Sequence, residues 1–515
     1  MSATDENFAS APEAVEFYNQ CTSRGFDPAQ VAHTQFLIAP KNRVNAPYLT
    51  ATDLETFTVH AGPGIPVVPA FDTKGRRFGA FLGIGVDSSG DTVAPSSFTA
   101  FDIEAPGFLG EIERFVSYTA GRYVFVLDCA VAKRLYLDPV GHLSTVYCSR
   151  LKRAASSLSL ALDRDITDNP IFEPDDIALG RLGPGEEFGY ILGHTRDVEV
   201  KFALPSHYLD LVSFTLTRHW PSTDSFPELD PDDYDNLTHE MVDRQRSILR
   251  AITAAHPSIL PVSGGSDSRK LLACISDRGE NIAQYFCFEH TRYARLDALC
   301  GEYITTKIGL PFVRYSDRNV PSRRFDRRQI NRKFWIRASW VAPPPNEFLF
   351  GMTDRTPKDH LHLRGNVMDL MRAIWWRQFP RRHRKAERGI APEIGALFLA
   401  SAPDENLIEK WTEPYLDWKN ALPENAQDLV FDFIFLELFL HVSSAKYYGY
   451  DGNFYICPFS DRKLIESTLR FPVDYRFSGA LNERFLEIAD PRLSDQPYRG
   501  GIRDMIASGA YTPPS

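Results

Sequence analysis

One stretch, Pro261-Val-Ser-Gly-Gly-Ser-Asp-Ser-Arg-Lys270, does most to limit the folds open to this chain. A short apolar strand over residues 258–262 runs into Ser263-Gly264-Gly265 and then Ser266-Asp267-Ser268, and a helix is expected over 269–278. A strand that passes into a helix through two glycines belongs to strand–helix alternation. Alternation of that kind builds a parallel sheet with helices on both faces. The flanking sequence continues the pattern, with a helix over 236–255, a strand over 282–288, a helix over 296–308 and a strand over 311–315. Residues from about 390 onward read as mostly helical.

The first 215 or so residues read differently, as strands joined by tight turns. Gly79-Ala-Phe-Leu-Gly-Ile-Gly-Val-Asp87 meets a turn signal at Ser88-Ser-Gly-Asp91, and Arg122-Tyr-Val-Phe-Val-Leu-Asp128 is a buried-strand run. Further strands are expected over 134–138 and 143–148. Between the two patterns, residues 221–235 turn to Pro, Asp and Ser and form the best linker. The expected architecture is α/β. A β-rich α+β domain over 1–220 precedes a parallel-sheet domain over 236–515, whose C-terminal part is helical.

Composition narrows the function classes. With 515 residues, 43% of them hydrophobic, there is ample chain to bury cores, and disorder is excluded. The net charge of −10 argues against a general nucleic-acid binder. The most apolar stretch, 430–442, is interrupted by Asp432, Glu437 and His441, so no membrane span is expected. The opening MSATDENFAS does not resemble a signal peptide. The seven scattered cysteines suit neither a disulfide framework nor a thiolate zinc site. These features lead us to expect a soluble protein of a reducing, cytoplasmic compartment. Basic segments over 323–333 and 377–388, the latter with Arg381, Arg382, His383, Arg384 and Lys385, read as solvated helix faces or as docking surfaces for an acidic glycan or peptide. His256, His290, His360 and His362 lack metal-site spacing.

The Gly-rich loop carries the strongest chemical signal. Two glycines allow a sharp turn and close approach of a ligand. Free N–H groups and the dipole at the helix start favour a phosphate. Asp267 would repel a bare phosphate, which implies Mg²⁺ between them. The loop matches neither the Walker spacing nor G-x-G-x-x-G. An ordinary strand-to-helix turn, capped by Ser and Asp, would use the same residue types.

S-G-G-x-D-S after a strand resembles the pyrophosphate loop of the ATP pyrophosphatase (PP-loop) superfamily. Along most of its length the chain resembles the asparagine synthetase-like branch, which includes β-lactam synthetases and lasso-peptide cyclases. Four further segments support the likeness: Asp138-Pro-Val-Gly141 with Leu143 and Val146-Tyr147; Tyr293-Ala-Arg-Leu-Asp297, leading to Gly309-Leu-Pro311; Gly365-Asn-Val-Met-Asp369; and Pro458-Phe-Ser-Asp461. The resemblance implies a degenerate Ntn-hydrolase-like N-terminal domain and a PP-loop (HUP-like) synthetase domain. It also implies ATP and Mg²⁺ as cofactors, with a carboxylate activated as an acyl-adenylate and then captured by an amine. Val262, Ser263, Gly264, Gly265, Asp267, Ser268, Gly365 and Asn366 would surround the nucleotide, Phe288 would border the adenine, and Asp267 and Asp369 would hold the metal.

The departures from the family shape the expected activity. Ser2 stands where glutamine-dependent members carry their nucleophilic cysteine, and the next cysteine, Cys21, lies inside a helical stretch. Glutamine hydrolysis is therefore not expected, and the amine is expected to belong to a substrate. Asn366 occupies the place of the family's dyad acid or tyrosine and cannot act as a base. Glu437 and Tyr448 are the substitutes suggested by location. The family's C-terminal loop lysine is missing, which leaves Arg499 and Arg503 to supply positive charge. Asn453-Phe-Tyr-Ile-Cys457 replaces the family's E-x-R, so the substrate contacts differ there. The expectation is an ATP- and Mg²⁺-dependent, AMP-forming carbon–nitrogen ligase acting on a small-molecule, peptide or glycan carboxylate and amine, alongside partner enzymes of a biosynthetic pathway. The alternatives are an ammonia-dependent asparagine synthetase and a non-catalytic nucleotide-binding homologue. A tRNA sulfur-transfer enzyme would want paired reactive cysteines, which Cys274 and Cys287 do not offer.

Overall fold

A computed structural model describes residues 15–172, 190–276, 282–316, 327–377, 383–398, 403, 405–450 and 452–513. The N-terminal part contains β1 (Phe36–Pro40), β2 (Thr50–Asp53), β3 (Phe57–Ala61), β4 (Val67–Phe71), β5 (Arg77–Val86), β6 (Ala120–Asp128), β7 (Lys133–Leu137), β8 (Val146–Cys148), β9 (Arg153–Ala155), β10 (Val200–Phe202), β11 (His207–Asp210) and β12 (Leu216–Arg218). These strands form two antiparallel six-stranded sheets, ordered β10-β8-β9-β1-β3-β2 and β12-β11-β7-β6-β5-β4. Alternation along β6 explains the layering. Val124 and Val126 join the core that also holds Leu37 and Val59 of the first sheet. Tyr123, Phe125 and Leu127 point the other way, into a phenylalanine-rich cluster closed by helix α1 (Phe108–Ser117).

Beyond residue 230 the chain alternates as expected. Helix α2 (Tyr234–Ala255) leads to β13 (Ser258–Pro261), α3 (Ser266–Ile275), β14 (Ile282–Glu289), α4 (Arg292–Lys307) and β15 (Val313–Ser316). Two short strands complete the sheet, β16 (Leu361–Leu363) and β17 (Phe454–Ile456). The order is β15-β14-β13-β16-β17, and every pairing is parallel. Helices α5 (Arg462–Arg470), α6 (Ala480–Ala489) and α7 (Arg499–Ala507) follow. The C-terminal region is helical, as read from sequence, apart from β17. The apolar stretch over 430–449 is a helix with a π turn at Ile434–Phe439. Among the described residues no helix is long and apolar enough to cross a membrane.

The antiparallel and parallel parts meet through buried polar contacts. The Arg122 guanidinium donates to the carbonyls of His142 (2.9 Å) and Tyr455 (3.0 Å) and lies over the rings of Tyr448 and Phe454. Asp138 accepts the N–H groups of His142 (2.9 Å) and Leu143 (2.8 Å) and the Ser460 hydroxyl. The Asp138–Gly141 turn is thereby pressed against the segment that follows β17.

Candidate functional site

The loop after β13 is tightened by its own serines. The Ser263 N–H donates to Ser268 Oγ (3.1 Å), and the Gly265 N–H donates to Ser263 Oγ (3.2 Å). Gly264 donates its N–H to Asp297 Oδ1 (3.0 Å) on α4. A Cβ on Gly264 would lie 2.9 Å from that oxygen and 3.1 Å from Arg499 Cβ, so this glycine serves close approach. Helix α3 begins at Ser266, three residues before the expected start at Arg269, which places Asp267 and Ser268 in its first turn.

A cleft of about 420 Å³ opens where β13, β14 and β16 end, the position at which open parallel sheets bind ligands. Of the residues expected around a nucleotide, Ser263, Asp267, Ser268, Phe288, Gly365, Asn366 and Asp369 line it. Val262 is buried, and Gly264 and Gly265 shape the turn without facing the cavity.

Asp267 and Asp369 come together from segments about 100 residues apart. Gly365 makes this approach feasible, because a Cβ there would sit 2.9 Å from Asp267 Cβ. Arg372 Nη2 bridges the pair, lying 3.1 Å from Asp267 Oδ2 and also contacting Asp369. Lys270 Nζ, fully buried, is 3.2 Å from Asp267 Oδ1 and donates to Asn482 Oδ1 (2.8 Å) and the Met368 carbonyl (3.3 Å). Burial and the Asp267 charge push the Asp369 carboxyl up, against Arg372 and Lys270. Burial pushes Lys270 down. Among the described residues no three His, Cys, Asp or Glu cluster as metal ligands. A Mg²⁺ ion that keeps its waters and phosphate oxygens needs only one or two carboxylates. The all-oxygen pair suits that ion in donor chemistry, while in this structure Arg372 is the cation between the two carboxylates.

The remaining expected site residues are placed elsewhere. Asn366 Nδ2 lies 3.1 Å from His142 Nε2, and burial drives His142 down to about 3, so its ring is neutral and has one nitrogen able to accept the amide N–H. Glu437 is fully buried, gripped by both Arg218 Nη atoms and by Trp418 Nε1 (3.0 Å). Burial opposes its charge, but Arg218, with His207 and Trp418, holds the carboxyl low. Tyr448 is fully buried, with its hydroxyl on the Ser144 carbonyl (3.3 Å) and its own ionisation pushed up by burial. Arg499 pairs with Asp297 (2.7 Å), and exposed Arg503 pairs with Asp504 (3.2 Å). None of these four lines the cleft. The π turn instead presents Phe435 and Phe439 to the cleft and aims Glu437 at Arg218.

The cleft wall also holds residues that the sequence analysis passed over, Arg364, Tyr447, Tyr450, Lys446 and Glu347, together with His290, which it considered only as a metal ligand. The Tyr-rich run at 447–450 is the one local signal that marks them. Ser2 and the basic residues Arg323, Arg381 and Arg382 lie outside the described residues. Lys385 and Arg388 pair with exposed Asp474 and Asp428, but residues 383–388 form turns and a bridge to Arg377 rather than the expected helix face. All seven cysteines are buried and free, and burial pushes the Cys21 thiol up to about 12, which removes it as a nucleophile. No family model matches the sequence, and no curated protein matches it.

Proposed function

We propose that this chain is an ATP-dependent, AMP-forming carbon–nitrogen ligase. In this reading residues 236–515 are a PP-loop synthetase domain, and residues 1–220 are an Ntn-like domain without glutaminase activity, working in the cytoplasm. The observation that carries the proposal is the convergence of Ser263, Ser268, Asp267 and Asp369 in one cleft at the ends of parallel strands. ATP is a substrate here. A carboxylate oxygen attacks the α-phosphorus, and the bond to the β-phosphate oxygen breaks to release pyrophosphate. An amine nitrogen then forms a bond to the acyl carbon, the carbon–oxygen bond breaks so that AMP leaves with that electron pair, and the nitrogen gives up one proton to solvent. Hydroxyls and N–H groups of the loop orient the phosphates and stabilise charge on the departing pyrophosphate. Mg²⁺ held by Asp267 and Asp369 would supply Lewis-acid charge at the phosphates. No side chain needs to act as a nucleophile.

The test is ATP-dependent pyrophosphate release across a panel of carboxylates and amines, with Ser268→Ala and Asp267→Asn as variants. The expected result is release that both variants lose. Absence of nucleotide binding at millimolar ATP and Mg²⁺ refutes the proposal. Arg372 lying across the carboxylate pair favours a second reading, a nucleotide-binding homologue without turnover. ATP binding without pyrophosphate release on any substrate would decide for it.

A further inference from the structure

Among the described residues four carboxylates line the cleft, Asp267, Asp297, Glu347 and Asp369. Each already has a cationic neighbour. Arg372 Nη2 lies 3.2 and 3.1 Å from the two oxygens of Asp267 and also contacts Asp369. The local fold sets it there. Asn366–Arg372 is a 3₁₀ turn, in which side chains three residues apart line up, so Arg372 stands over Asp369. Lys270 Nζ, fully buried, is 3.2 Å from Asp267 Oδ1. Arg499 pairs with Asp297 at 2.7 Å, and the charge of Glu347 acts on Arg364 on the same wall. With Lys446, also on the wall, five cations line the cleft or touch its carboxylates, against the four acids.

A pair of carboxylates draws a divalent ion by its net charge as well as by its oxygens, and the number of charges tunes how tightly such an ion is held. Here Arg372 and Lys270 cancel both charges of Asp267 and Asp369. A free divalent ion would meet two cations on the same oxygens and no net negative charge around them. A metal ion already bound to a triphosphate brings its own counter-charge. That complex stays anionic, and a cleft with a cation in excess favours it over the bare ion. Resting on the ligase reading above, we propose that Arg372 is the resident counter-cation of the carboxylate pair, so that the cleft takes a divalent metal only as its complex with the nucleoside triphosphate and not as the free ion.

The experiment is equilibrium dialysis of the full chain against Mn²⁺, with and without ATP, measuring the metal and the nucleotide that the chain retains. The variants are Arg372→Met, Arg372→Lys, and Arg372→Met combined with Asp369→Asn. Wild type and Arg372→Lys should bind Mn²⁺ alone with a Kd above about 100 μM, and should retain Mn²⁺ together with ATP. Arg372→Met should bind Mn²⁺ alone at least about tenfold more tightly than wild type, and Asp369→Asn in the same chain should remove that gain. Wild-type binding of Mn²⁺ alone below about 100 μM overturns the proposal without recourse to any variant. A folded Arg372→Met with no gain, a gain that survives Asp369→Asn, or ATP retained by wild type without Mn²⁺ overturns it too. Failure of the ligase reading has a different signature. No form then retains ATP, while the Mn²⁺ gain in Arg372→Met and its loss with Asp369→Asn persist and uphold the counter-cation role.

Discussion

Gly365→Ala tests whether the phosphate loop and the Asp369 segment work as one unit. The added methyl would meet Asp267 Cβ at 2.9 Å and the Asp267 backbone C and O at 3.1 Å. Backbone cannot swing aside as a flexible side chain can, so the first turn of α3 must move by a few tenths of an ångström or more. Overpacking of this kind costs about 1–3 kcal/mol. The displaced groups, Asp267 and Ser268, are the ones proposed to meet phosphate. If that strain is relieved by loosening the loop, nucleotide affinity falls between about fivefold and about a hundredfold. Gly500→Ala is the matched control. It lies in α7, nothing stands within 4 Å of its added methyl, and its helix propensity improves. Titration of a fluorescent ATP analogue into the wild type and both variants gives the measurement, with urea unfolding alongside. Unchanged nucleotide affinity in Gly365→Ala would refute the coupling between the two segments.

Three further outcomes concern stability. Asp432 and Arg476 are a buried pair with two hydrogen bonds of 2.9 and 2.8 Å, and Trp376 Nε1 adds a third at 2.9 Å. Arg476→Met should therefore cost about 3–5 kcal/mol in urea unfolding, and a loss under 1 kcal/mol would contradict the burial argument. Glu437→Gln should lower stability by about 1.5–3 kcal/mol through Arg218. Loss of turnover at unchanged stability would instead return Glu437 to catalysis. Burial lowers His60 to about 4 and His142 and His441 to about 3, so all three are neutral when folded and take up protons only on unfolding below about 6.5. Their contribution to stability should fall as pH drops below 6.5, by about 1.4 kcal/mol per unit for each histidine, so His60→Gln should unfold with a weaker pH dependence between pH 7 and 5 than the wild type, and an identical dependence would refute this.

The legible part of the fold was the part carried by continuous patterns. β13, β14 and β15 are short strands separated by helices, so their parallel sense followed from alternation alone. β16 and β17 are three residues each, and their pairings with β13 and with each other are contacts across long stretches of chain. Nothing local distinguishes Phe454–Ile456 from a buried helical turn, which is why that region read as helical. The start of α3 was placed late because Ser and Asp serve as caps and as first-turn residues alike, and only the path of the backbone decides between them.

The site divides along the same line. The loop hydroxyls and Asp267 lie within one short segment, so composition and spacing could find them. The charge balance around them could not be read, since Arg372 meets Asp267 105 residues away and Lys270 meets Asn482 212 residues away. Asn366 shows why a substitution can mislead when judged by chemistry alone. Read as a missing base, it implied a replacement elsewhere, and Glu437 and Tyr448 were suggested by location alone. In the fold its amide points toward the antiparallel part and donates to His142, the residue whose carbonyl also receives Arg122. Tyr448 belongs to the same buried junction, under the Arg122 guanidinium. Asn366 thus ties the cleft to the N-terminal sheets through a hydrogen bond to a neutral, buried histidine. The N-terminal part thereby contacts the segment that carries Asp369, three residues from Asn366.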